Sequence, residues 1–323
     1  VVILRFTFTL RSPNRRILVI ESQRCVLMKI LITGSHGLVG SQLHSMLTQQ
    51  GHSVYRLSRS KKAPICWDPE RGEIDKSILE GFNAVIHLAG ENIASGRWTA
   101  EKKARIRESR IKGTKLLSET LASLASPPEV LISASAIGFY GDRGDEVLNE
   151  DSARGTGFLS ELCEEWESAT EAARERGIRV ATLRIGVVLS SEGGALTKML
   201  PPFQMGAGGR LGSGEQYMSW VSLNDLVGIV EHVLGHKELI GAINAVAPNP
   251  VRNKQFTSAL GASLHRPTIF PVPEPVLNFL LGEMANELLL SSAKVQPKKL
   301  LDSHYVFQDP EIQQFLQQAV RAA

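Results

Sequence analysis

A glycine-rich turn joins a short apolar run to a helical pattern early in the chain, and this junction constrains the fold more than any other feature. The run Lys29–Thr33 (KILIT) is short and continuously apolar, which is typical of a strand buried on both faces of a parallel sheet. Residues 38–50 then carry leucines at helical spacing, and Gly51 follows as a stop signal. A strand, a tight turn and a helix in this order predict the first part of a βαβ unit.

The alternation of strands and helices continues to about residue 188. Further strands are predicted at residues 52–58, 84–88, 130–133 and 180–183, and helices at residues 100–124 and 159–176. Such alternation calls for parallel strands joined by right-handed crossovers. The predicted fold class is therefore α/β, a doubly wound parallel sheet of the Rossmann type with a smaller C-terminal lobe.

The pattern changes after residue 188. Residues 190–214 are rich in Gly and Pro and predict long loops, whereas residues 222–234 predict a helix and residues 242–246 a strand that returns to the main sheet. Prolines are dense beyond residue 248. We therefore expect a dinucleotide-binding domain over residues 28–189 and about 215–247. A smaller substrate-side lobe would take residues 190–214 and 248–323.

The first 27 residues differ from the rest of the chain. They carry five arginines and only one acid, Glu21. We favour the interpretation that the natural protein begins at Met28, and an organelle transit peptide is the alternative. The first interpretation predicts a cytoplasmic protein, and the second an organellar stroma or matrix.

Composition excludes several classes of function. The chain has 43% apolar residues, and no apolar run approaches the roughly 18 residues of a membrane span. Its three cysteines (Cys25, Cys66 and Cys163) form no CxxC pair, which argues against a zinc site or a disulfide framework and favours a reducing compartment. The charge beyond residue 27 is close to neutral, which disfavours nucleic acid as a partner. We expect no metal and no membrane contact.

The glycine turn has the spacing of a pyrophosphate site. Glycine permits a tight turn, a close approach of backbone to phosphate, and close packing of helix on strand. The free N–H groups of the following helix would then face the negative charge. A glycine turn without a ligand is the alternative, and His36 is expected to face solvent. The predicted cofactor-binding residues in the turn are Gly34, Ser35, His36, Gly37, Leu38, Val39 and Gly40.

The end of the second strand indicates which dinucleotide is bound. NAD-selective sites place an acid here, on the ribose hydroxyl, but residues 55–62 contain none. Arg59 or Lys61 could pair with a 2′-phosphate, and Ser58 could donate to it. We therefore predict NADP as the cofactor, with a merely solvated basic loop as the alternative.

Several motifs carry a family resemblance. The turn at residues 33–40, His87-Leu88-Ala89-Gly90 and the run SASAIGFYG at residues 133–141 resemble extended short-chain dehydrogenases and nucleotide-sugar epimerases. The pairs Ser109-Arg110 and Trp166-Glu167, with the runs LRIGVVL and KMLPPF, look like the uncharacterised "epimerase family protein" branch, whose members carry an extra C-terminal domain. The resemblance covers residues 28–320. It implies an NAD-dependent epimerase/dehydratase-like protein.

The resemblance also implies site residues. It places Leu88, Ala89, Gly90 and Glu91 along the cofactor. It implies that a serine at the carboxyl end of a central strand forms a hydrogen bond with the reacting oxygen of the substrate. Ser135 is the better match to that serine, and Ser133 is the second choice. A serine that only caps its own backbone is the alternative.

One expected element of the family is missing. No tyrosine of the chain is followed four residues later by a lysine, and the expected helix reads GFLSELCE at residues 157–164. Tyr140 is a candidate acid in its place. Arg184 is a candidate cofactor residue, with pairing to a buried carboxylate such as Asp225 as the alternative.

These observations predict an NADP(H)-binding oxidoreductase or epimerase-like enzyme. Its small substrate is unidentified and could be similar to a nucleotide sugar. The alternative is an NADP(H)-binding sensor or scaffold that lost catalysis together with the Tyr-x-x-x-Lys pair. A small molecule is the expected partner, and the protein would be a monomer or a homodimer.

Overall fold

A computed structural model describes residues 27–60 and 62–321, so most of the predicted N-terminal extension, and Lys61, lie outside the described residues. The strands, in chain order, are β1 (Lys29–Thr33), β2 (Ser53–Ser58), β3 (Ile65–Asp68), β4 (Glu73–Ile74), β5 (Ala84–His87), β6 (Val130–Ala136), β7 (Val147–Leu148), β8 (Arg179–Ile185), β9 (Val187–Ser190), β10 (Gly193–Gly194), β11 (Tyr217–Met218), β12 (Trp220–Ser222), β13 (Gly241–Ala245), β14 (Val251–Arg252) and β15 (Lys294–Val295). The helices are α1 (Leu38–Gln49), α2 (Ala100–Ala122), α3 (Phe158–Ser168), α4 (Glu171–Glu175), α5 (Ala195–Gln204), α6 (Leu223–Gly235), α7 (Asn253–Leu264), α8 (Glu274–Leu281), α9 (Glu283–Ala285), α10 (Lys298–Asp302) and α11 (Ile312–Arg321).

The main sheet has eight strands in the order β13-β8-β6-β5-β1-β2-β3-β4. All neighbours are parallel except β3 and β4, which form an antiparallel edge. Strand β1 pairs with β2 on one side and with β5 on the other, so the order of the strands reverses at β1. Ligands of open α/β sheets bind outside the carboxyl ends of the strands at such a reversal. The predicted fold class is confirmed.

Two apolar layers cover the two faces of this sheet. Helices α1 and α6 pack on one face, and α2 and α4 pack on the other. Because both faces are covered, β1 and β5 are apolar along nearly their whole length, as the sequence indicated. The buried contacts include Leu43, Leu47, Leu226 and Val230 on the first face and Leu117, Leu121 and Ala173 on the second.

A third apolar cluster lies beyond the sheet, where α5, α7 and α11 pack around Trp220. The prediction of long loops over residues 190–214 is wrong in part, because α5 forms there. Leu196, Leu200 and Phe203 are buried at helical spacing on one side of α5, and this packing outweighs the two prolines inside the helix.

Other boundaries also differ from the sequence pattern. The helix expected over residues 159–176 is two helices, α3 and α4, separated at Ala169 and Thr170. The β3–β4 edge was not predicted. Within residues 27–60 and 62–321, no helix is long and apolar enough to cross a membrane. The same part of the chain contains no group of three or more His, Cys, Asp or Glu that could hold a metal ion.

Candidate nucleotide-binding and active site

The turn between β1 and α1 accepts only glycine at two positions. Gly34 has a φ of +66°, and a Cβ there would lie 2.7 Å from the Leu88 carbonyl and 2.9 Å from the Ala89 nitrogen. A Cβ at Gly40 would collide with the Gly34 carbonyl oxygen. The two glycines therefore bring the helix against the strand and the turn against the segment after β5.

A buried histidine fixes that second segment. Thr33 Oγ1 accepts hydrogen bonds from the Leu88 and Ala89 amides, at 3.1 and 3.2 Å, and lies 2.7 Å from His87 Nδ1. Thr33 must donate its own proton to Nδ1, so Nε2 of His87 carries hydrogen and donates to Thr114 at 2.9 Å. Burial lowers the pKa of His87 to about 4, so the ring stays neutral.

The N-terminus of α1 is open to a ligand. Its N-cap residue, Gly37, provides no side-chain hydrogen bond, and no acid lies in the first turn. The Ser35 hydroxyl is buried without a partner in the described part of the chain, and His36 is exposed, as expected. Unpaired N–H groups and a positive helix end fit a phosphate. The residues of the turn therefore suit the pyrophosphate of a dinucleotide.

The end of β2 presents an exposed cation. Arg59 is exposed, and the Ser58 hydroxyl accepts from the Ser60 amide at 3.2 Å. Arg59 lies near Glu91, and its charge contributes to a lowered pKa of that carboxyl. The predicted contribution of Lys61 falls outside the described residues. No acid stands at residues 58–60, so nothing there would repel a 2′-phosphate.

Glu91 is engaged within the protein. Its carboxylate accepts from Lys102 at 2.7 Å, and its amide donates to Ser109 at 3.0 Å. Lys102 is buried and also donates to Ser95 at 2.9 Å. The hydrogen bond from Lys102 is the main cause of the lowered pKa of Glu91. Glu91 thus ties the loop after β5 to α2, and its predicted place in the cofactor site stays a prediction.

The two predicted serines differ in their surroundings. Ser135, near the end of β6, donates to Glu167 at 2.7 Å. Ser133 is buried, and its hydroxyl reaches only the Ala134 carbonyl, at 3.4 Å. Ser135 is therefore the better placed of the two, as the sequence suggested, and it belongs to a polar network and not to a simple backbone cap.

Arg184 closes that network from β8. Its Nε and Nη2 atoms donate to Glu167 at 2.8 and 2.9 Å, and its Nη1 atom donates to Tyr140 at 3.0 Å. The predicted alternative, a buried carboxylate partner, is correct in kind, but the partner is Glu167. Asp225 instead accepts the amides of residues 308 and 309. Arg184 is thus engaged with Glu167 and Tyr140, and its predicted contact with the cofactor stays a prediction.

Tyr140 is enclosed. Its side chain has no exposed surface, and its hydroxyl lies 2.8 Å from Asn244 Oδ1 and 2.9 Å from the Asn149 carbonyl, besides accepting from Arg184. Burial raises its pKa above the ordinary value. The Tyr140 proton is thus directed at oxygens of the protein, which disfavours Tyr140 as an acid, although its catalytic role stays a prediction.

Helix α3 presents an unusual face to Ser135. Leu159, Cys163 and Glu167 recur every four residues, so they lie on one side of the helix. Cys163 is buried, and burial raises the pKa of its thiol to about 12. The thiol therefore stays protonated and inert, as expected. Glu167 is the one carboxylate on this face.

Two later segments of the chain pack against elements of the site. Gly193 and Gly194 lie against Leu38 of the glycine turn, where added Cβ atoms would stand 3.4 and 3.2 Å from its methyl groups. On the other side, Glu287 accepts from the Phe158 and Leu159 amides, both at 3.3 Å. Glu287 thus caps the N-terminus of α3, whose own N-cap residue, Gly157, has no side chain to do so.

Sequence reasoning left two functional candidates without a role. Glu167 and Arg110 were quoted only as parts of family motifs, Trp166-Glu167 and Ser109-Arg110. The available signal was the charged residue in each pair, since both lie on helices that flank the sheet. Their partners lie on other elements, so no local spacing revealed them.

Comparisons with known proteins agree with this architecture. Residues 30–245 match the NAD dependent epimerase/dehydratase family, and residues 272–319 match a domain of unknown function, DUF1731. An epimerase family protein of Mycobacterium bovis is 42% identical over 281 residues, covering 86% of this chain and 93% of its own. A relative from Arabidopsis thaliana, named an epimerase family protein SDR39U1 homolog, chloroplastic, is 37% identical and covers 93% of this chain and 89% of its own.

A solved structure is also similar. The crystal structure of human epimerase family protein SDR39U1 (isoform 2) with NADPH superposes with a TM-score of 0.84 and 31% identity. It covers 92% of this chain and 100% of that one. The resemblance to the epimerase branch with an extra C-terminal domain is confirmed.

Proposed function

Because the chain belongs to the NAD dependent epimerase/dehydratase family, we propose that it is an NADP(H)-dependent oxidoreductase or epimerase acting on a small hydroxylated substrate. One observation carries the proposal. The open N-terminus of α1 and the unpartnered Ser35 hydroxyl lie at the strand reversal at β1, and only β5 separates β1 from β6, which carries Ser135. A phosphate-binding end and a reactive hydroxyl at the same edge of the sheet suit a dinucleotide-dependent reaction.

The choice of NADP rests on the end of β2. Arg59 is exposed and makes no ion pair within the described ranges, and no acid precedes it on the strand end. A free guanidinium pairs well with a phosphate dianion. The human relative crystallised with NADPH supports the same choice.

The bound nicotinamide would supply the hydride acceptor or donor. The protein's own contribution is to bind, orient and handle a proton. Ser135 holds its hydrogen on Glu167, so its oxygen is free to accept a hydrogen bond from a substrate hydroxyl. Arg184 keeps the Glu167 side chain in place through two hydrogen bonds. A nucleotide-sugar-like alcohol would suit a site of this kind.

A second candidate function has its own support. Leu159 and Cys163 stand on the face of α3 directed at Ser135, and neither transfers protons at neutral pH. An NADP(H)-binding sensor or scaffold catalyses no reaction, so it would not need a proton-transferring side chain at these positions. This alternative retains the nucleotide site and gives up the reaction.

The setting of the protein is also proposed. A small molecule is the expected partner, and neither nucleic acid nor a membrane is. We expect a monomer or a homodimer. We also expect a reducing compartment, because Cys66 and Cys163 are free. The cytoplasm is our first choice, and the chloroplastic name of the Arabidopsis relative supports the organellar alternative.

Turnover with defined substrates tests the proposal. The full chain would be incubated with NADP⁺ or NADPH and a panel of nucleotide sugars and simple alcohols and carbonyls. Nicotinamide absorbance would report redox change and NMR would report epimerised product. Ser135→Ala should lower the rate by about a hundredfold while NADPH binding persists, because a group that takes up the proton of a reacting hydroxyl typically contributes at least that much. Ser133→Ala is the matched control, since its hydroxyl meets only backbone. Tight NADPH binding without turnover on any substrate would favour the sensor.

A further inference from the structure

Arg110 on α2 lies beside the loop that follows β5. Its guanidinium carbon is 3.4 Å from the position that a Cβ on Gly90 would take. The same carbon lies 5.0 Å from the centre of the Trp166 ring on α3. The guanidinium therefore lies between the predicted cofactor loop and α3, within van der Waals reach of position 90.

Arg110 forms no ion pair in the described part of the chain, although the charge of the Glu91 carboxylate acts on it from a distance. Its one hydrogen bond there runs from Nη1 to the Ile106 carbonyl, at 3.2 Å. Two other cations of α2 behave differently, since Lys102 pairs with Glu91 and Arg107 pairs with Glu165. Burial lowers the pKa of Arg110. A partly buried cation without an ion pair is costly. With one hydrogen bond made, at least four of its five N–H groups remain to be satisfied by a ligand or by water.

The position of Arg110 indicates which part of a ligand it would meet. Ala89 touches the glycine turn, where the pyrophosphate is expected. Gly90 is the next residue along the chain. Burial raises the pKa of Cys163, on the face of α3 directed at Ser135, and the positive charge of Arg110 partly offsets that rise. The guanidinium thus lies between the phosphate end of the site and the reactive serine. In a dinucleotide, the nicotinamide ribose occupies that interval.

We propose that Arg110 is a positioning residue that donates hydrogen bonds to the hydroxyl oxygens of the nicotinamide ribose, a place where the chain offers no Tyr-x-x-x-Lys lysine. This inference rests on the proposed function. It extends the site to a residue on α2 and gives the motif Ser109-Arg110 a role. Arginine suits the task because its planar fork can span two neighbouring hydroxyls.

Binding of a whole cofactor and of a fragment tests the proposal. Dissociation constants for NADPH and for 2′,5′-ADP, which lacks the nicotinamide half, would be measured by calorimetry on the full chain and on Arg110→Met. We expect NADPH to bind about tenfold more weakly to the variant, about 1.4 kcal/mol. The affinity for 2′,5′-ADP should not change, because that fragment ends before the ribose in question.

Two further variants separate a ligand contact from a structural role. Arg107→Met, from the same helix, removes an exposed cation and should leave both affinities unchanged. Arg110→Lys retains a donor and a charge, should fold in any case, and should restore part of the NADPH affinity. Thermal unfolding without ligand should show Arg110→Met no less stable than the wild type, since an unpaired charge is removed.

The outcomes are distinguishable. Equal NADPH affinity of Arg110→Met and the wild type, or an equal loss for NADPH and 2′,5′-ADP, would overturn the role of Arg110 and leave the nucleotide site standing. If the wild type binds neither compound, the proposed function fails, and the role of Arg110 fails with it.

Discussion

The hydroxyl of Ser135 donates to the Glu167 carboxylate at 2.7 Å, and the oxygen that accepts this bond also accepts from Arg184 at 2.8 Å. Ser135 therefore cannot at the same time donate to a substrate carbonyl without breaking that bond. Its lone pairs remain available to a substrate hydroxyl. The sequence suggested that Ser135 polarises the reacting oxygen, and the structure adds that it begins as an acceptor, oriented by a carboxylate on α3.

The buried Glu167–Arg184 pair should be important for stability. Glu167→Gln would leave the Arg184 charge without a counter-charge in a site where its side chain is only 6% exposed. Breaking a buried pair in this way costs about 3–5 kcal/mol, to be measured by urea unfolding. Glu165→Gln is the control, because its pair with Arg107 is exposed and should be worth below about 1 kcal/mol. Equal losses in the two variants would contradict this account.

The glycine turn gives a second prediction, based on steric exclusion. Gly34→Ala places a methyl group 2.7 Å from the Leu88 carbonyl at a φ of +66°, so we expect lost stability and much weaker NADPH binding. Gly72→Ala is the matched control. Gly72 has a φ of +68° with nothing within 4 Å, so only the backbone strain of about 1 kcal/mol should appear. Unfolding and NADPH titration measure both effects, and unaltered binding by Gly34→Ala would refute the predicted contact.

The cap that Glu287 provides on α3 should depend on pH. Burial raises the pKa of Glu287 in the folded protein above its ordinary value of 4.5, so the folded state holds this proton more tightly than the unfolded state. Its contribution to the free energy of unfolding is therefore greatest below pH 4.5 and declines as the pH rises through the raised pKa. Glu287→Gln cannot ionise, so its stability relative to the wild type should rise over that interval.

Unfolding of both proteins across pH 4 to 8, roughly the range in which a raised carboxyl pKa would act, measures this dependence. A flat difference between Glu287→Gln and the wild type would mean that burial does not govern this carboxyl.

Local patterns predicted the central architecture well. The strand at residues 29–33 was predicted with its observed bounds, and the long helix α2 ends two residues before its predicted end. These elements repeat a pattern set by neighbours in sequence, namely apolar residues buried on two faces or at helical spacing. The helix α5 was missed because Pro201 and Pro202 indicate a loop when the sequence is considered locally. In the fold, the apolar side chains of α5 are buried in the third cluster, and this packing stabilises the helix.

The site was harder to predict than the fold. Gly34 and Gly40 could be assigned because their chemistry is local to the turn. Glu167 and Arg184 come from different elements, and only the packing of α3 on β6 and β8 brings their side chains together. Sequence alone identified Arg184 as a candidate to bind either the cofactor or a buried carboxylate. Only the long-range contact in the structure shows that Glu167 is the carboxylate it pairs with. The cofactor contacts of the turn stay predictions.

The selectivity of the nucleotide site tests the central claim most directly. Dissociation constants for NADPH and NADH would be measured on the full chain, on Arg59→Ala and on the control Arg71→Ala, an exposed arginine of the β3–β4 turn. We expect NADPH to bind at least about tenfold more tightly than NADH, about 1.4 kcal/mol, and only Arg59→Ala to lose that margin. Equal binding of the two nucleotides by the wild type would contradict the choice of NADP, and binding of neither would contradict the nucleotide site itself.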